Sequence, residues 1–217
     1  MNTGSLSRSS ILKSLTTVGL ALYLAAPVWA DSPTILQIEE HWELRVGEPD
    51  SERSAPQATM VMSPYDELDG VFFMFTLNHR SLPAYSPGGM QVQLWDGDSI
   101  VATADGDAQG VMNQTNDVVR WTQRLKIDDG TLSFEVVDGS SSSWGEFGND
   151  GTLKFASPSS LEGLNDYRPA ISLTESQVGY AGNRVQALVL TKLVWVTDDG
   201  EVHQLEAPID IDADLDP

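Results

Sequence analysis

Apolar and polar residues alternate along most of the chain with a period of two. At that spacing the successive side chains of an extended strand point to opposite faces. The stretch ILQIEEHWELRV opens the pattern at Ile35, and QATMVM resumes it at Gln57 after a loop rich in Gly, Pro, Asp and Ser. MQVQLW, SIVATA, TLKF, ISL, VGY, RVQALVLTKLVWV and EVHQLEA carry it onward. GVFFMFTLN is apolar on both faces, with Val71, Phe73, Phe75 and Leu77 on one and Phe72 and Met74 on the other. That predicts a strand at the centre of its sheet. DVVRWTQRLKI alternates cleanly and is joined by DDG at 128–130 to TLSFEVV, which predicts a hairpin pairing 118–127 with 131–137. One helical turn is expected, over 159–164, with Ser159 as its cap.

Asp-Gly and Asn-Asp-Gly turn signals recur roughly every ten residues, the spacing of an all-β fold. The expected architecture is a two-sheet antiparallel β-sandwich of the jelly-roll kind, with about a dozen strands. Its core face collects Trp42, Leu44, Val46, Phe73, Phe75, Val92, Leu94, Trp121, Leu125, Ile127, Phe134, Val136, Leu188, Leu190 and Val194. Burial of each large side chain contributes roughly 1.5–3 kcal/mol, enough together to offset much of the ordering entropy.

The phrases WELRV, early in the chain, and GNRVQALVLTKLVW, late in it, resemble concanavalin A-like or laminin-G-like jelly rolls. RWTQRLKI, LSFEVVDG and WGEFG together are similar to a group of secreted bacterial proteins that carry no assigned activity. The resemblance spans about residues 35–205. It implies a fold that hosts lectins, glycan-binding modules, glycosidases, lyases and structural domains, so function has to be read from a site.

Composition adds a compartment. Arg8 and Lys13 precede the apolar run LTTVGLALYLAAPVWA, which ends with Val28 and Ala30 where a signal peptidase reads small residues. Residues 1–30 are therefore expected to be a cleaved signal peptide, 31–206 a single sandwich domain, and 207–217 a flexible acidic tail. Export to the periplasm or beyond follows from such a leader, with no membrane insertion after cleavage. The 217 residues include no cysteine, which excludes disulfides, thiol catalysis and thiolate metal sites. Twelve basic residues stand against 32 acidic ones, a net charge of −20 that becomes −22 once the leader is removed. Nucleic acids and anionic membranes, being polyanions, are poor partners for such a chain.

Four candidate groups carry chemistry. On the first strand Glu39, His41, Glu43 and Arg45 share one face, opposite Ile38, Glu40, Trp42, Leu44 and Val46. Residues i and i+4 of a strand lie about 13 Å apart, too far for Glu39 and Glu43 alone to form a glycosidase pair. The glycosidases that the resemblance brings in place Glu-x-Asp-x-(x)-Glu on one strand. Here His41 replaces the middle acid, so Glu39, His41 and Glu43 stand as an alternative catalytic row in a polysaccharide-active enzyme. The second group is the polar row Arg120, Thr122, Arg124 and Lys126 of the strand 118–127, and a second reading pairs its basic members with the acidic row across neighbouring strands. The third group is the loop SSSSWGEFGNDG, where the Trp144 ring could stack on a sugar while Glu146, Asn149 and Asp150 take its hydroxyls. The fourth is the set of turn aspartates, which supply hard oxygen ligands of the kind Ca²⁺ takes, though none has the spacing of an EF-hand. Three readings result: a secreted non-catalytic sandwich that binds glycan or another surface component, a polysaccharide-active enzyme, and a purely structural envelope or extracellular part.

Overall fold

A computed structural model describes residues 33–47, 56–79, 89–106, 117–142, 145–180 and 184–211. The expected signal peptide, Trp144 and residues 212–217 lie outside this set. The described residues form twelve strands and one short helix arranged as two antiparallel sheets, so the chain is an all-β sandwich. No helix among the described residues is long and apolar enough to cross a membrane.

The larger sheet holds β1 (Ile35–Val46), β6 (Asp117–Asp128), β7 (Thr131–Ser141), β8 (Gly145–Phe147), β9 (Lys154–Pro158), β11 (Val185–Thr197) and β12 (Val202–Asp210). Its order is β12-β11-β1-β6-β7-β8, and β9 also pairs with β7. The smaller sheet runs β10-β2-β3-β4-β5, from β2 (Gln57–Met62), β3 (Val71–His79), β4 (Gly89–Asp96), β5 (Ser99–Gly106) and β10 (Gln177–Tyr180). Strand β3 is central in that sheet, as its two apolar faces require, with Phe73 and Phe75 fully buried inward and Phe72 stacked on Trp95 outward. The β6–β7 hairpin closes through Asp129 and Gly130 at φ 45° and 69°. Both central residues thus have the positive φ of a turn whose twist matches that of the strands.

Between the sheets, Trp42 stacks on Trp121 at 6.3 Å and Phe73 on Phe134 at 5.2 Å. Stacked rings of this kind add about 0.5–1.5 kcal/mol each beyond their burial. Strict alternation fails at one place. A bulge in the β1–β11 pairing, where His41 faces Lys192 and Trp42 faces Leu190, leaves Thr191 as the extra residue. A bulge shifts the phase by one, so everything beyond it changes face. Leu193 is therefore the buried residue, while Val194 lies beside Glu39 on the outer face and is only half-buried. The expectation that Val194 is core is corrected accordingly. Val194→Thr is expected to change unfolding free energy by less than about 0.5 kcal/mol in a urea titration.

Two further expectations change. Residues 159–164 form no helix: the Ser159 hydroxyl accepts the Leu161 N–H in a local turn, and Gly163 packs against Thr34. The helix, α1, is Pro169–Glu175, where ISL reads as a strand. Proline at its first turn is pre-set for helical φ and gives up only a donor that would be unsatisfied there. The sandwich also runs past Glu206. Strand β12 continues to Asp210, and Ile211 bonds Leu188 through its N–H at 2.9 Å and packs on the core.

Candidate functional site

Antiparallel register places directly opposed residues on one face, so the outer surface of the large sheet can be read in rows across the strands. One row is Val194, Glu39, Arg124, Glu135 and Lys154. Another is Glu43, Arg120, Ser140 and Glu146. Between them runs Glu206, Lys192, His41, Thr122 and Asp138, one residue from each of β12, β11, β1, β6 and β7.

The acidic and basic rows meet as the second sequence reading has them. Arg124 donates to Glu39 Oε1 at 2.7 and 2.8 Å. Glu43 takes Arg45 at 2.6 Å on one oxygen and Arg120 at 2.7 Å on the other. Lys154 stands 3.5 Å from Glu135, and Lys126 pairs with Asp128 at 2.8 Å. Burial acts to raise the Glu43 carboxyl, but the hydrogen bond from Arg45 and the charge of Arg120 outweigh it and hold the group below its usual range. A depressed carboxyl adds stability above its unfolded pKa and loses it as pH falls through the folded value. Glu43→Gln is thus expected to cost about 1 kcal/mol at neutral pH and progressively less below about pH 4, measured by denaturant unfolding across pH.

A groove of about 340 Å³ opens over the middle row. Its floor and walls come from His41, Glu43, Arg120, Thr122, Asp138, Ser140, Thr191, Lys192 and Glu206. His41 Nδ1 lies 3.0 Å from the Thr122 hydroxyl, and its Nε2 lies 3.8 Å from Glu39. Burial and then the Lys192 charge lower the His41 pKa, against the pull of Glu39, Glu206 and Asp138, so the imidazole is neutral near pH 7. Lys192, Asp138 and Glu206 form no ion pair with one another or with any other described residue.

The loop candidates divide. Glu146 sits on β8 opposite Ser140, so it flanks the same sheet face as the groove. Glu146 and Asp150 also line a smaller cleft of about 130 Å³ with Met90 and Phe147. Asp150 is turned into its own turn, accepting the Thr152 N–H at 2.9 Å and hydroxyl at 2.7 Å, and those bonds hold its carboxyl low. Asn149 adopts φ 60° and spends its N–H on the Val136 carbonyl. Asp199 behaves alike, accepting from the Thr197 hydroxyl and from the Glu201 N–H. Among the described residues no group of three or more His, Asp or Glu side chains converges as a metal ion would need.

Glu40 is the residue that sequence reasoning passed over. It is fully buried on the inner face, with four donors on its two oxygens. Trp42 Nε1 at 2.9 Å and Gln123 Nε2 at 2.7 Å reach Oε2, while the Tyr167 hydroxyl at 2.6 Å and the Ser172 hydroxyl reach Oε1. Burial raises its pKa despite these bonds. The signal was present: an acid in phase with Ile38, Trp42 and Leu44 must be buried if they are.

No family model matches the chain, and a search of curated proteins finds no significant relative.

Proposed function

We propose that this chain is an exported, non-catalytic β-sandwich that binds a glycan or another surface component in the groove on the outer face of its large sheet. The observation that carries the reading is the sorting of charges on that face. Five of its basic side chains are matched to neighbouring carboxylates, while Lys192, Asp138 and Glu206, in the row beneath the groove, are left unmatched. Matched pairs at a surface contribute little to affinity or stability. Unmatched charges beside hydroxyl side chains are groups a polyhydroxylated ligand can engage without breaking existing bonds.

The same sorting weakens the enzymatic alternative built on Glu39, His41 and Glu43. A glycosidase needs one carboxyl kept protonated near neutral pH, which takes a raised pKa. Glu43 is pulled the other way by two arginines, and Glu39 is bonded to Arg124 and Gln37. The raised carboxyl, Glu40, faces the core.

The test is a glycan array probed with residues 31–217, with and without Ca²⁺, followed by calorimetric titration of each hit. Lys192→Met and Ser140→Ala are expected to weaken a genuine ligand about tenfold while leaving the melting temperature unchanged. A silent array, or hits indifferent to both substitutions, would sink the proposal.

A further inference from the structure

The unmatched row has an order, and the order carries chemistry. Glu206 stands at one end on β12 and Asp138 at the other on β7, both exposed. Lys192, half-buried, stands directly opposite Glu206, with His41 and then Thr122 between it and Asp138. Four strand spacings separate the two carboxylates, about 19 Å between their backbones. An ionised carboxylate only accepts hydrogen bonds and an ammonium only donates them. A ligand lying along this row therefore presents donors at both ends and an acceptor one strand in from the Glu206 end.

Charge narrows the class. Six of the eight described basic residues, Arg45, Arg120, Arg124, Lys126, Lys154 and Lys192, lie on this face of a chain whose net charge is −20. All but Lys192 are already paired with carboxylates. The five paired bases are thus largely cancelled by their four carboxylates, the unmatched row carries two negative charges and one positive, and Glu146 on β8 adds one more unmatched carboxylate to the face. A polyanion would meet repulsion from the whole molecule and from both ends of the groove. A cation would be drawn in over a long range and then form charge-assisted hydrogen bonds, which are roughly twice as strong as neutral ones.

Resting on the groove reading above, we propose that the ligand is an amine-bearing glycan lying across the strands, with protonated sugar amines at Asp138 and Glu206 and a hydroxyl or ring oxygen at Lys192. The direction follows from the row, which crosses five strands instead of running along one. Arg120 and Arg124 border the row on either side but are held by Glu43 and Glu39, so they bound the path without claiming an anion.

The test titrates the same protein with three oligosaccharides of equal length at a pH where sugar amines are protonated: a glucosamine hexamer, its N-acetylated counterpart and an oligogalacturonate. Oligolysine serves as a non-sugar cation. The glucosamine hexamer is expected to bind at least tenfold more tightly than the other three, with an affinity that falls as salt rises. Asp138→Asn and Glu206→Gln should each remove most of that advantage, and Lys192→Met should weaken both glucosamine forms alike. If the N-acetylated form binds equally well and Lys192→Met still weakens it, the groove stands and the amine preference falls. Oligolysine binding as tightly as the hexamer would show that charge alone is read, and would overturn the glycan class. Binding of none of them, or binding unmoved by all three substitutions, removes this inference and the groove reading together.

Discussion

Replacing Glu40 with leucine is expected to cost about 3–5 kcal/mol of folding free energy, while glutamine at the same place is tolerated. The asymmetry comes from the four donors. Leucine has nearly the right volume but accepts nothing, so Trp42 Nε1 and Gln123 Nε2 would be left buried without an acceptor. Each orphaned donor costs about 1–3 kcal/mol. The Tyr167 and Ser172 hydroxyls could still bond each other, so they add less. Glutamine can place its carbonyl oxygen toward Trp42 and Gln123 and its amide toward the two hydroxyls, which accept as well as donate. Because a domain of this size is stable by only about 5–15 kcal/mol, the leucine variant should show its loss as a large drop in urea midpoint.

The same pair of variants fixes the sign of the pH dependence. Burial raises the Glu40 pKa above the value of 4.5 that it has when exposed. A group raised in this way stabilises the fold fully below its unfolded pKa and loses that contribution as pH rises through the folded value. The wild-type chain should therefore lose stability between about pH 4.5 and the raised pKa, and Glu40→Gln should not. At neutral pH the glutamine variant is expected to equal or exceed the wild type. Unfolding measured at pH 4 and pH 7 decides it: a glutamine variant that is the weaker of the two at pH 7 would mean that the four bonds outweigh desolvation.

Glu40 also marks where sequence legibility ends. The two-residue rhythm was enough to place Trp42, Phe73, Trp121 and Phe134 inside, because each run carries its own period whatever its neighbours do. Complementary rows were legible too. Glu39 and Glu43 on one strand and Arg120 and Arg124 on another share a spacing, and the register brings Glu39 to Arg124 and Glu43 to Arg120. The bulge at Thr191 was not legible, since nothing local separates an extra residue from regular alternation in RVQALVLTKLVWV. Its consequence is large for the site. It sets Lys192 beside His41 and opposite Glu206, which the unbroken period would not do. The groove itself is a property of five strands read crosswise. No single stretch of sequence contains more than one member of the row, and only β-sheet register assembles them.

Alanine at Gly139 is expected to destabilise the sandwich by about 2–4 kcal/mol, through one neighbour. Gly139 faces Trp121 on one side and Phe147 on the other, and the Phe147 ring lies over it. A Cβ at that position would come within 2.2 Å of the ring, with two more ring atoms at 2.5 Å. The φ of Gly139 is not positive, so the requirement there is space and not backbone freedom. A flexible side chain could swing away from such a contact, but Phe147 is buried and sits on the three-residue strand β8. Gly148, which follows it, has φ 77° and a Val136 carbonyl 2.6 Å from where its own Cβ would stand, so the backbone beyond the ring cannot yield either. The ring must leave the core, and its departure removes the burial that holds β8 to β7. Phe147→Ala alone should therefore cost a similar amount, about 3–5 kcal/mol. The two changes share one cause, so the double variant should be scarcely less stable than Phe147→Ala alone. In a urea-unfolding double-mutant cycle this reads as a coupling near the full cost of Gly139→Ala, whereas additive costs would mean that the glycine is needed for something other than the ring.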